Sequence, residues 1–411
     1  MKIRLISILL ILSFTACSSL NKLSLYNLSG QYDNTLFTRL DAVAFNTDDQ
    51  SVSVFVPILM SDMVSAFDEN TGKTHRDALL RYEMFENYDS KQILDSAGIL
   101  ITDSNLMLID TMISFKIRYP SSNKFILKLE LVDLNRVDVV RNYLWLDNSS
   151  PASSDHYLLK DADGDLMFTK NVSGEDDYSF ELTDKAARSV YVRYYKRDFP
   201  LALPPFLEET ETNFEYGADS VFVIEARDGS TALFHLPEKG FYHFQTDSNK
   251  RGGYTIFRFD PGFPQVQSSS QMLDPLRYIT TVAEFREMQD AVDVKLAIDN
   301  FWLNNAGNPT RARAMIQKYY GRVVDANQYF TSYHEGWKTD RGLMYIVYGP
   351  PRIVYRGEDI EEWLYGEKGN KNSIRLQFVK VINPFSENDY SLIKSPSYKE
   401  KWYNIVSTWR R

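Results

Sequence analysis

Apolar and polar residues alternate through the first part of the chain. Residues 51–56 alternate with period two and meet Pro57, which predicts a half-buried strand ending there. Residues 113–119 do the same before Pro120. Residues 124–133 follow after Ser121, Ser122 and Asn123, and read as the hairpin partner of 113–119. Residues 141–146 form another candidate strand. This spacing, without long helices between, predicts an antiparallel β-sandwich-like domain over residues 31–148. Ser149, Ser150, Pro151 and Ser153 make a linker. A second β domain is expected over residues 155–266, the alternative being one larger β domain with a long insertion, with strands at 178–182, 189–195 and 220–226 and a closing hairpin from 240–245 and 253–259. Residues 199–206, with Pro200, Pro204 and Pro205, are apolar but cannot be a central strand, so they form a loop resting against something.

The period then changes. Over residues 272–411 the pattern is first helical. Thr281 and Glu284 fit a capping box. Tyr278, Val282, Phe285, Met288, Val292 and Leu296 fall on one helical stripe, extended by Phe301 and Trp302. Asn308 suits an N-cap and Pro309 the first position of a second helix. That helix presents Ala312, Met315, Ile316, Tyr319, Val323, Ala326 and Phe330 on one side. A helix pair is predicted, packed on a small antiparallel sheet of strands at 343–348, 360–365 and 374–381. Residues 398–409 form a terminal helix. The fold class is therefore mainly β with an α+β C-terminal domain, and the tandem sandwich-like domains precede the helix pair and small sheet.

The sharpest local pattern lies at Gly336-Trp337-Lys338-Thr339-Asp340-Arg341-Gly342. Gly336 suits the position just past a helix end. Thr339 and Asp340 favour a turn. The following run, Leu343 to Tyr348, is apolar throughout and reads as a strand covered on both faces. Gly349, Pro350 and Pro351 close it. Trp337 is expected to plug the core over the sheet, its indole N–H offered to the Asp340 carboxylate.

Gly336-Trp337-x-Thr339-Asp340 is similar to the signature of the GWxTD domain. Arg341 and Gly342, the apolar run, Gly349-Pro350-Pro351 and the later Glu362-Trp363-x-Tyr365 resemble the rest of the family pattern. The resemblance covers the last quarter to third of the chain. It implies an envelope protein of the kind found in Bacteroidota and some other bacteria, and it carries no catalytic residue over.

The N-terminus adds a location. Lys2 and Arg4 precede an apolar stretch at 5–14, which has the length of a signal-peptide core and is too short for a membrane span. Phe14-Thr15-Ala16-Cys17 looks like a lipobox, with Phe14 in place of the usual aliphatic residue. Residues 1–16 are read as a signal peptide, Cys17 as the acylated (palmitate-bearing) first residue, and 17–30 as a tether. Two or more acyl chains anchor a protein stably. Cys17 is the only cysteine, so no intramolecular disulfide forms and no Cys nucleophile remains. No acidic residue follows Cys17 directly, which favours the periplasmic face of the outer membrane over the cell surface.

Composition narrows the function classes. Net charge is −9, and an acidic balance argues against nucleic-acid binding. Aromatics make up 14% of the chain, which favours β structure and large contact surfaces. No nucleophile elbow, phosphate loop or dinucleotide fingerprint occurs, and no cofactor or metal is expected. Asp161, Asp163 and Asp165 invite a calcium reading, but the glycine falls fourth and Val172 stands where an EF-hand has Glu, so a β-turn fits better. His235 and His243 flank a proline-containing turn and could face each other across a hairpin, yet two histidines make too few zinc ligands. His334, Glu335 and Asp340 would have to converge to act as acid and base, and capping is the simpler role. The expectation is a non-enzymatic, outer-membrane lipoprotein serving as an interaction subunit of an envelope assembly or export complex. The alternatives are a glycan- or peptidoglycan-binding lipoprotein and a hydrolase using acids near Asp340.

Overall fold

The computed structural model describes residues 23–33, 38–48, 50–104, 106–107, 110–150, 152–208, 216–370 and 373–410. Cys17, residues 1–16 (read above as a signal peptide) and Pro151 lie outside the described residues. Of the described residues, 36% are strand and 24% helix, with several antiparallel sheets followed by helices and a small antiparallel sheet.

The first β unit contains β1 (Val43–Asp48), β2 (Ser51–Leu59), β3 (Ala66–Asp68), β4 (Lys73–Phe85), β5 (Ile93–Asp103), β6 (Asp110–Arg118), β7 (Lys124–Asp133) and β8 (Asp138–Asp147). One sheet has the order β1-β2-β6, the other β3-β4-β7-β8 with β5 on β4. Val52, Val54, Val56 and Ile58 all point inward with period two and meet Leu127, Leu129 and Leu131 of the facing sheet. Two expectations fail here. Strand β2 runs past Pro57 to Leu59, because β1 pairs only as far as Phe55 and the missing N–H of Pro57 faces no neighbour on that side. Strands β6 and β7 are not a hairpin. Strand β6 pairs with β2 and β7 with β4 and β8, so the turn after Pro120 carries the chain from one sheet to the other.

The second β unit contains β9 (Tyr157–Asp161), β10 (Asp177–Leu182), β11 (Ser189–Tyr195), β12 (Ser220–Arg227), β13 (Ser230–Thr231), β14 (Phe234–His235), β15 (Gly240–Gln245) and β16 (Tyr254–Arg258). They form one sheet in the order β14-β10-β13-β12-β11-β15-β16, with β9 on β10. Its two ends fold over a shared core. Phe180 of β10 lies 5.1 Å from Tyr254 of β16, edge to face. Strands β15 and β16 make the expected closing hairpin.

The C-terminal unit begins with α1 (Ser269–Leu273), α2 (Val282–Gln289), α3 (Val294–Ala306), α4 (Pro309–Phe330) and α5 (Asp340–Tyr348). Strands β17 (Ile353–Arg356), β18 (Ile360–Tyr365), β19 (Ile374–Lys380) and β20 (Tyr390–Leu392) follow in that order in one sheet, and α6 (Lys399–Thr408) ends the fold. The capping box at Thr281 and Glu284 and the Asn308 cap with Pro309 form as read. The single stripe through Leu296 does not. The chain breaks at Asp290–Asp293, where Asp293 caps α3, and Val292 and Leu296 are left exposed.

The largest correction is at 343–348, which is helix and not strand. Residues Asp340 to Val347 are all buried, so the run carries no amphipathic period to separate the two states. The caps decide. Thr339 accepts from the Gly342 N–H at the start, and Gly349, at φ +94°, ends it.

The loop 199–206 does rest against something. Ala202 donates its N–H to Lys338 O, Phe206 lies 5.6 Å from Tyr403, and Phe199 meets Tyr333 and His334. A separate aromatic cluster of Tyr195, Phe241, Phe257, Phe259, Tyr333 and Phe385 joins the second β unit to the C-terminal unit.

Candidate functional site

The stretch from Gly336 to Gly342 is a junction where α4, a short 3₁₀ turn at Gly336–Lys338 and α5 touch backbone to backbone. A Cβ on Gly336 would collide with the carbonyl of Ala326 in α4, and one on Gly342 with the carbonyl of Gly336. Both positions therefore require glycine for close approach. Thr339 Oγ1 donates to Gly336 O at 2.8 Å and accepts from Gly342 N–H at 2.9 Å, tying the turn to the helix. Trp337 sits in the core as expected. Its backbone N–H donates to Asn327 Oδ1, and its carbonyl accepts from the Tyr278 hydroxyl at 2.9 Å.

Asp340 is not the partner of the Trp337 indole. Its Oδ2 accepts from Leu392 N–H at 2.8 Å and its Oδ1 lies 3.3 Å from Lys394 Nζ, which fastens α5 to β20. Gly349 combines its positive φ with a side facing the Arg322 guanidinium, where no Cβ fits. Pro350 and Pro351 then lead into β17, so the Gly-Pro turn ends a helix and starts the sheet.

Arg341 reaches the most unusual feature of the unit. Glu361 of β18 is fully buried. Its Oε2 accepts from Arg356 Nε at 2.8 Å and Nη2 at 2.6 Å, and Arg341 Nη1 stands 3.5 Å away. Its Oε1 accepts from Trp363 Nε1 at 2.6 Å and from the Tyr32 hydroxyl at 2.7 Å. Burial raises the pKa of this carboxyl, but Arg356, Arg341 and the two hydrogen bonds outweigh it and hold the group below its ordinary value. The guanidinium of Arg341 also lies 4.3 Å from the Tyr390 ring and donates to Asn388 O and Oδ1.

Tyr32 brings a second surprise. Residues 24–32, mostly within the stretch read as a tether, are docked on the C-terminal sheet. Ser24 and Leu28 donate their N–H groups to Arg356 O and Val354 O at 2.7 and 2.9 Å. Val354 and Arg356 donate back to Asn27 Oδ1 and Ser24 Oγ. Leu28 and Tyr32 belong to the C-terminal core, and the Tyr345 hydroxyl donates to Tyr32 O. Sequence reading missed this network. The available signal was the pair Glu361-Glu362 inside an apolar strand, since adjacent strand residues face opposite ways and one acid had to point inward.

The other candidates do not converge. His334, Glu335 and Asp340 each turn to different neighbours. His334 stacks on Tyr333 at 5.0 Å with both ring nitrogens buried and unpaired, and burial, then Lys338, lowers its pKa to about 4. Glu335 pairs with Lys338 at 3.2 Å. His235 and His243 lie on strands with different partners. His235 is exposed near Asp177, whereas His243 is buried, donating from Nε2 to Arg251 O and bonded at Nδ1 to Thr255 Oγ1. The Asp161 carboxylate accepts from the N–H groups of Asp163 and Asp165, the β-turn expected.

A comparison with curated proteins finds none that matches. Residues 240–411 match the family model of the GWxTD domain. The match opens at β15, so it takes in the hairpin that carries Phe241 and Phe257 of the joining aromatic cluster, as well as the helices and the small sheet. With Gly336, Trp337, Thr339 and Asp340 locked at its central junction, the C-terminal part of this chain is a GWxTD domain.

Proposed function

We propose that the protein is an outer-membrane lipoprotein, acylated at Cys17 and facing the periplasm, that serves as a non-enzymatic interaction subunit of an envelope assembly or export complex. The observation that carries this reading is the docked segment 24–32. Only six residue steps separate Cys17 from Leu23, and an extended chain covers at most about 3.6 Å per step. An acylated Cys17 therefore holds the segment docked on the edge of β17 within about 20 Å of the lipid headgroups. In this reading the GWxTD domain lies close to the membrane, and the two β units offer further contact surfaces. Among the described residues no helix is long and apolar enough to cross a membrane.

The motif supports a structural role for its residues. Gly336, Thr339, Asp340 and Arg341 spend their hydrogen-bonding capacity on backbone junctions and a buried ion network. The test is a mild-detergent pull-down of the tagged, acylated protein from its own membranes, with mass spectrometry of what accompanies it. Outer-membrane proteins in stoichiometric amounts that survive a salt wash are expected. Recovery of the protein alone, or of a Cys17→Ala form with the same membrane partition, refutes the reading. A second reading, binding of glycan or peptidoglycan, is favoured by one specific feature, an aromatic-walled cavity between the units.

A further inference from the structure

Where the three units meet, the chain leaves a cavity of about 320 Å³. Strands β1 and β8 form one wall, the loop after β9 with β16 a second, and the β17–β20 sheet the third. The volume is at the small end of the ~300–1,000 Å³ typical of ligand sites. It suits one or two sugar-sized rings.

The walls divide by chemistry. On one side Trp145 stacks on Tyr88, with centroids 6.4 Å apart and planes 14° from parallel. Both rings are half-buried, so the assembly offers a rigid flat surface that the C–H face of a ring can cover. On another side Lys170 holds its ammonium 4.6 Å from the centre of the Tyr254 ring. The residue is open to the cavity, and among the described residues no carboxylate comes within ion-pair distance of it. Every other cation on the wall is already taken: Arg356 by Glu361, and Lys380 by Glu387. Facing Lys170 is Asp155, with a single long bond from Ser154 at 3.4 Å. Burial, opposed by Lys170, pushes its carboxyl up to about 6. At neutral pH it is still mainly a carboxylate, and so accepts from a hydroxyl.

A flat apolar platform, one cation held in no close ion pair and a carboxyl that can accept from a hydroxyl point to a ring with hydroxyls and a single negative charge. We propose that this cavity binds an acidic mono- or disaccharide, its ring on Trp145, its carboxylate on Lys170 and a hydroxyl on Asp155. The proposal deepens the glycan-binding reading and is independent of the anchor and of any complex. The carboxylate could belong to a uronic acid or to the lactyl ether of an amino sugar, and the two sources present the same chemistry to Lys170.

The test titrates the purified protein with glucuronic acid and N-acetylmuramic acid, and with glucose and N-acetylglucosamine as their uncharged counterparts. Saturation-transfer NMR and tryptophan fluorescence report binding. At least one acid should bind tenfold or more tightly than its counterpart, and which one does so tells the two sources apart. Lys170→Met, at a solvent-open side chain, should leave the melting temperature unchanged and erase that preference. Trp145→Ala should weaken both acidic and neutral sugars, and Asp155→Asn checks the pocket if Trp145→Ala fails to fold. Equal binding of acids and counterparts, binding untouched by Lys170→Met, or no binding by either acid overturns the proposal. Neutral sugars that bind and are lost in Trp145→Ala would leave the broader glycan reading standing while removing the charge assignment made here.

Discussion

Replacing Glu361 by Gln tests whether the buried ion network holds the GWxTD domain together. The carboxylate receives five N–H or O–H donors, three of them from two guanidiniums. Gln is nearly isosteric, so cavity effects are small. It turns one acceptor oxygen into an NH₂ donor. Placed at Oε1, that donor faces the Tyr32 hydroxyl and the Trp363 indole; placed at Oε2, it faces Arg356 and Arg341. Either way, donors point at donors and the buried charge of Arg341, 1% exposed, loses its counter-ion. Removing one member of a buried pair costs about 3–5 kcal/mol. That is a large share of the ~5–15 kcal/mol that separates a folded domain from its unfolded state. Urea unfolding followed by tryptophan fluorescence reads the change, since Trp363 donates to this carboxylate. Asp48→Asn is the control. Its partner Lys116 is 53% exposed, and such surface pairs contribute about 0–1 kcal/mol. A Glu361→Gln loss no larger than the control would refute the account of the network.

Other expectations follow from the same geometry. Gly336→Ala and Gly342→Ala should each cost at least about 1–3 kcal/mol by overpacking against backbone carbonyls, measured by thermal melting, and Gly321→Ala, which meets nothing, should be neutral or better. Tyr32→Phe should cost about 1–2 kcal/mol and raise protease sensitivity of residues 23–32, because the hydroxyl bridges Glu361 and Arg356. His334→Phe should be neutral or stabilising, since neither ring nitrogen has a partner. His243 behaves differently: burial holds its pKa at about 4, so the folded form keeps it neutral while the unfolded chain protonates near 6.5. Its contribution is present above pH 6.5 and is lost as pH falls toward 4, by up to about 3 kcal/mol. The stability gap between the wild type and His243→Gln should narrow over that window in parallel urea titrations. Asp389, raised to about 6 by burial, shifts the other way in both proteins and cancels in the comparison.

How much could be read in advance depended on whether local chemistry or distant pairing decided the outcome. Thr281 with Glu284, and Asn308 with Pro309, set their helix ends through bonds to residues three positions on, so sequence alone sufficed. The inward Val52-Val54-Val56 pattern was equally local. Residues 343–348 defeated the reading because burial on all sides removes the period, leaving only the Thr339 and Gly349 caps to distinguish helix from strand. The 113–133 segment failed for another reason. Both strands were placed correctly, but their partners, β2 and β4, lie far upstream and no turn signal names them. At the site, the glycines and Thr339 announced a junction, while the Glu361 network stayed hidden because Tyr32 and Glu361 lie 329 residues apart.

That separation bears on how the protein is made. Tyr32 is synthesised 329 residues ahead of Glu361, and the segment that ends at it well ahead of its resting place on β17. Contacts between such distant residues carry a large closure entropy and form slowly. While the intervening chain is being made, residues 24–32 therefore remain without their partner strand, and Glu361, once it appears, is buried only when Tyr32 returns to it. A segment made early is thus fastened late, and the clamp closes only once β17 and β18 have been made.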